Sequence, residues 1–288
     1  MAEGAGSPSS PRLDPNHARL IRELVEEQCG INFGLDSITF LQRRIGPRLR
    51  AIGLASFKDY YLHLKYDQGG SQELGVLIEQ LTNHETYFFR ERYQLDAFQF
   101  EVLPLLISQF SPLRRLNVWS AGCASGEETY TIAMLLQMTT ALKDWKVRVF
   151  GTDISRPVLA KARRGLYSEK SFRVMEDSER LRFFEREGAQ WSVAEEVRAL
   201  TAFGHFNLLH REKISLLGTC DVIFCRNVLI YLSATARAQV VDTFYTRLRA
   251  GGYLFLGHSE SLINVTTKFE IVSLENDLVY RKPKDALD

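Results

Sequence analysis

The chain has 288 residues, 45% apolar and 25% charged, with a formal net charge of +1. This is an ordinary composition for a folded globular protein, long enough for one large domain and a small one; its near-neutral balance gives no global signal for nucleic acid, leaving only a local basic patch, and no nucleic-acid partner is expected. No apolar run approaches the length of a membrane span, so no direct membrane insertion is expected. The N-terminal stretch MAEGAGSPSSPRLDP has neither a basic flank nor an apolar core. It predicts a disordered tail over residues 1–13 rather than a secretory leader. The cysteines, Cys29, Cys123, Cys220 and Cys225, lack metal-site or redox spacing. Cys220 and Cys225 flank an apolar run and predict core thiols, and the set predicts no metal and a reducing cytoplasmic setting.

From residue 14 to 70 the apolar spacing predicts a small helical domain. Leu20, Ile21, Leu24 and Val25 form one stripe, opposed by Arg22, Glu23, Glu26 and Glu27, and Gly30 stops the helix. A second helix is predicted over Ser37–Ile52, broken or kinked at Gly46-Pro47, and it carries Arg43, Arg44, Arg48 and Arg50. Ser56 is suited to cap a third helix. After a Gly-rich turn, residues 71–82 predict a linker helix leading into TNHETYFFR, Thr82–Arg90. Arg90 there sits among Tyr87, Phe88 and Phe89. A buried guanidinium needs a carboxylate, phosphate or carbonyl partner; the alternative is an Arg that packs along the rings and reaches water.

From residue 83 to 282 strands and helices alternate. Strands are predicted at Leu116–Ser120, Val147–Gly151, Asp221–Cys225 and Tyr253–Leu256, with helices at Glu127–Leu142, Ser155–Arg164 and Ser233–Arg249, and a last strand pair at Phe269–Leu274 and Leu278–Arg281. This rhythm predicts a doubly wound, mostly parallel α/β sheet. It fails at about 182–204, where a β insertion is expected with strands at Gln190–Val193 and Val197–Ala202.

In such sheets ligands bind beyond the carboxyl ends of the strands, and the polar candidates fall there. Small residues, Ser120 to Gly126, precede Glu127 and Glu128 at a helix N-terminus, where acids also serve as capping charge. Asp153 follows the second strand, as a ribose-binding carboxylate or as a turn residue. Asn207 and Leu208 could bond and pack against an adenine. Arg226 and Asn227 interrupt the apolar run that leads to Tyr231; the plainer reading makes Asn227 a helix cap.

Six ordered segments, LTNHETYFFR, VWSAGCASGEETY, FGTDIS, NLL, DVIFCRNVLIYL and GGYLFLGHSESL, resemble the motifs of the CheR family of chemotaxis methyltransferases. GINFGLD and RRIGPRLRAIGLASFKDYY resemble that family's first domain, so the likeness spans nearly the whole chain. It implies a Rossmann-like methyltransferase sheet with a helical N-terminal domain. It also implies transfer of a methyl group from S-adenosylmethionine to receptor glutamates, leaving S-adenosylhomocysteine. Its partners would be the cytoplasmic methylation helices of chemoreceptors, met by a monomer. The cofactor positions it implies are Asn83 or His84, Thr86, Arg90, Glu127 or Glu128, Asp153, Asn207, Leu208, Arg226 and Asn227. Arg90 and Tyr231 would flank the transferred methyl, and Arg43, Arg44, Arg48 and Arg50 would meet acidic receptor helices, unless they are simply a solvated basic face.

A glutamate carboxylate is already an anion at neutral pH, so this chemistry needs no general base. Alignment is then the main task, worth on the order of 7–11 kcal/mol at most. Two departures stand out: His84 where the family has Asn, and Thr129 where it has Pro. A single Gly in Glu187–Gln190 argues against use of a receptor tether peptide. Two other readings are the same chemistry in another sensory pathway and a catalytically weak S-adenosylmethionine sensor.

Overall fold

Asp14 opens the first helix by accepting hydrogen bonds from the Asn16 and His17 N–H groups, with Pro15 in the first turn. The computed structural model describes residues 12–34 and 37–286, so most of the predicted tail lies outside the described residues. Leu13 does not: it is buried, and its N–H donates to Gln42 Oε1 at 3.0 Å. Ordered packing therefore begins ahead of the first helix. The chain divides into two units between Thr82 and Asn83.

The first unit contains α1 (Pro15–Cys29), α2 (Ile38–Ala51), α3 (Phe57–Tyr66) and α4 (Gly70–Leu81). Gly30, at φ 76°, caps α1 as expected. Pro47 lies inside α2, but the helix runs through it without a break. Leu74, Leu77, Ile78 and Leu81 are buried, so α4 is part of the helical unit's core rather than a linker. Gly70 is required there, because a Cβ would lie 2.3 Å from the His63 carbonyl oxygen.

A buried polar knot ties three of these helices. Arg48 Nε donates to Glu73 Oε1 at 2.9 Å, and the Tyr60 hydroxyl donates to the same oxygen at 2.8 Å. The expectation that Arg48 faces a receptor is thereby corrected: its guanidinium is committed to Glu73. Arg43, Arg44 and Arg50 are exposed. Burial pushes the Glu73 carboxyl up, but the Arg48 and Tyr60 bonds more than offset it and hold the pKa below the usual range. The knot's contribution is therefore full above the ordinary carboxylate pKa and lost as pH falls through the lowered folded value. Glu73→Ala is expected to destabilise this unit by about 3 kcal/mol, read by denaturant unfolding at neutral pH.

The second unit begins with a helical stretch that sequence periodicity did not predict: α5 (Arg92–Asp96), a π-helical turn (Ala97–Val102) and α6 (Leu103–Phe110). Then follow β1 (Arg115–Ala121), α7 (Glu127–Met138), β2 (Lys146–Asp153), α8 (Arg156–Arg164), β3 (Leu166–Tyr167), α9 (Asp177–Phe183), β4 (Phe184–Glu187), β5 (Gln190–Val193), α10 (Glu195–Arg198) and β6 (Thr201–His205). The unit closes with α11 (Arg211–Ile214), β7 (Cys220–Cys225), α12 (Ala234–Arg247), β8 (Leu248–Leu256), β9 (Glu270–Ser273) and β10 (Leu278–Arg281).

The main sheet has seven strands in the order β6-β2-β1-β7-β8-β10-β9. The first five are parallel, and β10 runs antiparallel to β8 and β9. This is the doubly wound, Rossmann-like arrangement. Its order reverses beside β1, between strands leading outward to β6 and strands leading outward to β9. Phe98 from the π-helical turn meets Phe224 of β7 edge-on at 5.2 Å, and Phe224 stacks on Phe255 of β8 at 4.6 Å. The unpredicted helices thus cover the sheet next to the strands that matter most.

The insertion is also placed differently. A separate three-stranded sheet has the order β3-β5-β4, so it draws in Leu166–Tyr167 and ends at Val193. Residues 195–198 are helical, and the strand expected at Val197–Ala202 is instead β6 of the main sheet, paired with β2 from Thr201 to His205. The β4–β5 turn is tight, with Gly188 at φ 60°.

Candidate functional site

The carboxyl ends of β6, β2, β1 and β7 stand side by side, and Asp153, Asn207, Leu208, Arg226, Asn227 and the Glu127–Glu128 pair lie at those ends or just beyond them. After β1 the chain turns sharply: the Gly122 and Cys123 N–H groups donate to the Thr152 carbonyl at 2.8 and 2.9 Å. Gly122 has φ 81°, and a Cβ on it would fall 2.4 Å from Val228 Cγ2, so only glycine lets the β1 and β7 loops approach. Asp153, at the end of β2, is buried. Its Oδ2 accepts from the Ala124 N–H and its Oδ1 from the Ser155 N–H, both at 2.9 Å. Burial pushes this carboxyl above its usual range, against the Ser155 bond, the nearby charge of His84 and the Ala124 bond. Asn207, beyond β6, is buried with its Oδ1 accepting from the Leu209 N–H at 3.0 Å, and Leu208 beside it is half-buried.

The two acids at the start of α7 have different surroundings. Glu127 is only 1% exposed; its oxygens accept from Ser125 Oγ at 2.7 Å and Ser171 Oγ at 3.0 Å, with Lys161 Nζ at 3.5 Å. Those partners commit it to structure. Glu128 accepts from Ser120 Oγ at 2.7 Å and faces Arg226 at 3.5 Å. Burial raises its pKa, opposed by the charge of Arg226 and the Ser120 bond.

Arg226 is the electrostatic centre of the site. Its side chain is 3% exposed and pairs with Glu91 at 2.9 Å and with Glu128. One guanidinium nitrogen also donates to the Arg90 carbonyl. Neither Glu91 nor Ser120 was singled out by sequence reasoning, because nothing in their local spacing marks them.

The Thr82–Arg90 motif is fastened on both sides. Phe88 N–H donates to the Ser171 carbonyl and Phe89 N–H to Thr131 Oγ1. The Phe88 ring stacks on Phe172 at 5.2 Å and meets Tyr167 and Phe184 edge-on. Phe89 and Glu91 sit at φ 57° and 54°, strained values for such residues. Arg90 is half-buried; its guanidinium lies 5.8 Å from the Tyr87 ring centre and donates to the Glu85 carbonyl at 2.9 Å. It thus combines both sequence readings, packing on a ring and using a carbonyl partner. Arg173 stacks on the same ring at 3.7 Å and pairs with Glu85. Thr86 is half-buried in this stretch. Asn83 Nδ2 donates to the Tyr231 hydroxyl at 3.1 Å, which sets Asn83 beside Tyr231, while His84 acts electrostatically on Asp153. Asn227 has φ 60°, and its Oδ1 is buried with no hydrogen-bond partner.

The family model described as the CheR methyltransferase SAM binding domain matches residues 84–278, and the one described as the CheR methyltransferase all-alpha domain matches 16–82. Chemotaxis protein methyltransferase 2 of Vibrio cholerae is 34% identical over 264 residues, covering 91% of each chain. Chemotaxis protein methyltransferase 1 of Pseudomonas aeruginosa is 32% identical, covering 91% of this chain and 96% of that one. A chemotaxis protein methyltransferase of Borreliella burgdorferi is 33% identical over 85% of this chain and 87% of its own.

Proposed function

The chain belongs to the CheR methyltransferase family, with S-adenosylmethionine as its cofactor, and from that premise we propose that it methylates glutamate side chains on the cytoplasmic helices of chemoreceptors. One observation carries this reading. The acceptors are the more enclosed groups, with Asp153 buried, Glu128 half-buried and Asn227 Oδ1 buried without a partner, whereas the donors are more open, Arg90 half-buried and Tyr231 exposed. Enclosed acceptors suit a ligand rich in hydroxyl and ammonium donors. Open donors suit an incoming carboxylate.

S-adenosylmethionine supplies a methyl group on a sulfonium, which makes it an electrophile without further activation. Asp153 would hold the ribose hydroxyls with the acceptor capacity that its backbone bonds from Ala124, Ile154 and Ser155 leave. Asn207 and Leu208 would meet the adenine. Glu128 takes the cofactor-facing role, because its side chain is 14% exposed whereas Glu127 is 1% exposed and enclosed by Ser125, Ser171 and Lys161. Arg90 would orient the glutamate carboxylate, and Tyr231, held by Asn83, would donate to its second oxygen. No residue has to remove a proton.

The test is transfer of labelled methyl to receptor-rich membranes, recovered as a base-labile ester. Labelling that resists mild base, or none at all, overturns the glutamate assignment. Arg43 and Arg44 are exposed on α2, with Arg44 over the Phe40 ring at 5.4 Å. Reversing both charges is expected to raise the apparent KM for receptor about fivefold at low salt, near 1 kcal/mol for two exposed charges. The difference should shrink as salt rises, and an unchanged KM would make these arginines a solvated face.

A further inference from the structure

We propose that Glu260 is a positioning residue for methyl transfer, fixing the loop that carries Asn227 and Tyr231; this deepens the functional reading above and rests on it. Glu260 lies beyond β8, in the HSES segment that no cofactor or substrate role absorbs. Its carboxylate accepts four backbone N–H groups: Asn227 at 2.8 Å and Gly257 at 2.7 Å on Oε2, Val228 at 2.9 Å and Ile230 at 3.2 Å on Oε1. Three of these donors belong to the loop that leaves β7. None of the three has a place in the sheet, and the short helical turn Leu229–Tyr231 leaves its leading N–H groups without partners inside the turn. One anion collects them.

The bonds are charge-assisted and so stronger than neutral ones. They hold the loop with Asn227 at φ 60°, the left-handed region that asparagine tolerates better than other residues with a Cβ. Holding it there presents the Asn227 side chain inward while the turn projects Tyr231 toward Asn83. The approach is close: a Cβ at Gly257 would lie 2.8 Å from the Asn227 nitrogen and 2.9 Å from Glu260 Oε2. Glycine at 257 and glutamate at 260 therefore form one clamp. A neutral amide cannot replace it, because its NH2 group would face two N–H donors.

The experiment compares wild type with Glu260→Gln. Cofactor-competent sites are first titrated calorimetrically with S-adenosylhomocysteine, and turnover is expressed per titrated site. Glu260→Gln is expected to lower kcat about 10- to 100-fold, the size of effect a misplacement near 1 Å produces. The receptor KM should stay within about threefold, while the S-adenosylhomocysteine Kd rises with the displacement of Asn227, one of the acceptors assigned to the cofactor. A kcat per site equal to wild type overturns the proposal, as does a loss confined to Kd. Should the variant not fold, the wild-type protein decides by residue-resolved hydrogen exchange. The Val228 and Ile230 amides should exchange at least about 100-fold slower than a free loop, and free-loop rates overturn the clamp. A wild type that methylates no receptor would sink the functional reading and leave the exchange result standing.

Discussion

Arg90→Ala is expected to lower kcat for receptor methylation by about 10²–10³-fold, the usual loss when one preorganised donor at a reacting group is removed. Cofactor binding should survive, with the S-adenosylhomocysteine Kd within about threefold of wild type by calorimetry. The separation follows from where Arg90 spends its contacts. Its guanidinium touches the Tyr87 ring and the Glu85 carbonyl, and it reaches Glu128 only through its charge. The contact it makes to the inner site is through its backbone carbonyl, which receives Arg226 and remains after truncation. Arg90 must also hold its anion loosely. The carboxylate charge vanishes as the ester forms, so a tight ground-state ion pair would slow the reaction. Arg90→Lys should recover only part of the rate, since an ammonium lacks the planar fork that orients a carboxylate. A variant that loses cofactor binding while keeping turnover at saturating cofactor would assign Arg90 to the cofactor instead.

The alternating pattern made the sheet legible because each parallel strand is a short apolar run bounded by turn residues, and the strand ends named Asp153, Arg226 and Asn227 directly. Three things were hidden for physical reasons. The helices between Arg92 and Phe110 contain a π-helical turn at Ala97–Val102, which shifts the apolar stripe off the 3.6-residue period. Arg48 looked like its neighbours on α2, because its distinction is a Glu73 on another helix. Glu260 bonds backbone groups rather than side chains, and no residue pattern marks a segment whose N–H groups need an acceptor. The ambiguity between Glu127 and Glu128 has the same origin: both are one step apart at a helix start, and only their tertiary partners separate them.

Arg226→Met should destabilise the second unit by about 3–5 kcal/mol at neutral pH, the cost of removing one partner from a buried ion cluster. Methionine retains much of the side-chain volume, so the loss reports charge rather than a cavity. What it strands is specific: Glu91 and Glu128 lose their shared cation, and the Arg90 carbonyl loses a donor. Burial already raises the Glu128 pKa, and Arg226 is the principal charge opposing that rise. Without it the folded pKa moves further up. A carboxyl raised in the folded state contributes its stability in full below the unfolded pKa and loses it as pH rises through the folded value. The deficit of Arg226→Met relative to wild type should therefore be smaller at about pH 5 than at about pH 7.5, with the change falling between the raised folded pKa of Glu128 in wild type and its still higher folded pKa in the variant. Urea unfolding of both proteins at the two pH values measures this directly, since contributions common to both cancel in the difference. Adding Glu128→Gln should return part of the stability at neutral pH, because it removes one of the two stranded charges. A deficit that does not change with pH, and that Glu128→Gln leaves untouched, would mean that Arg226 holds the site by packing and its carbonyl bond rather than by charge.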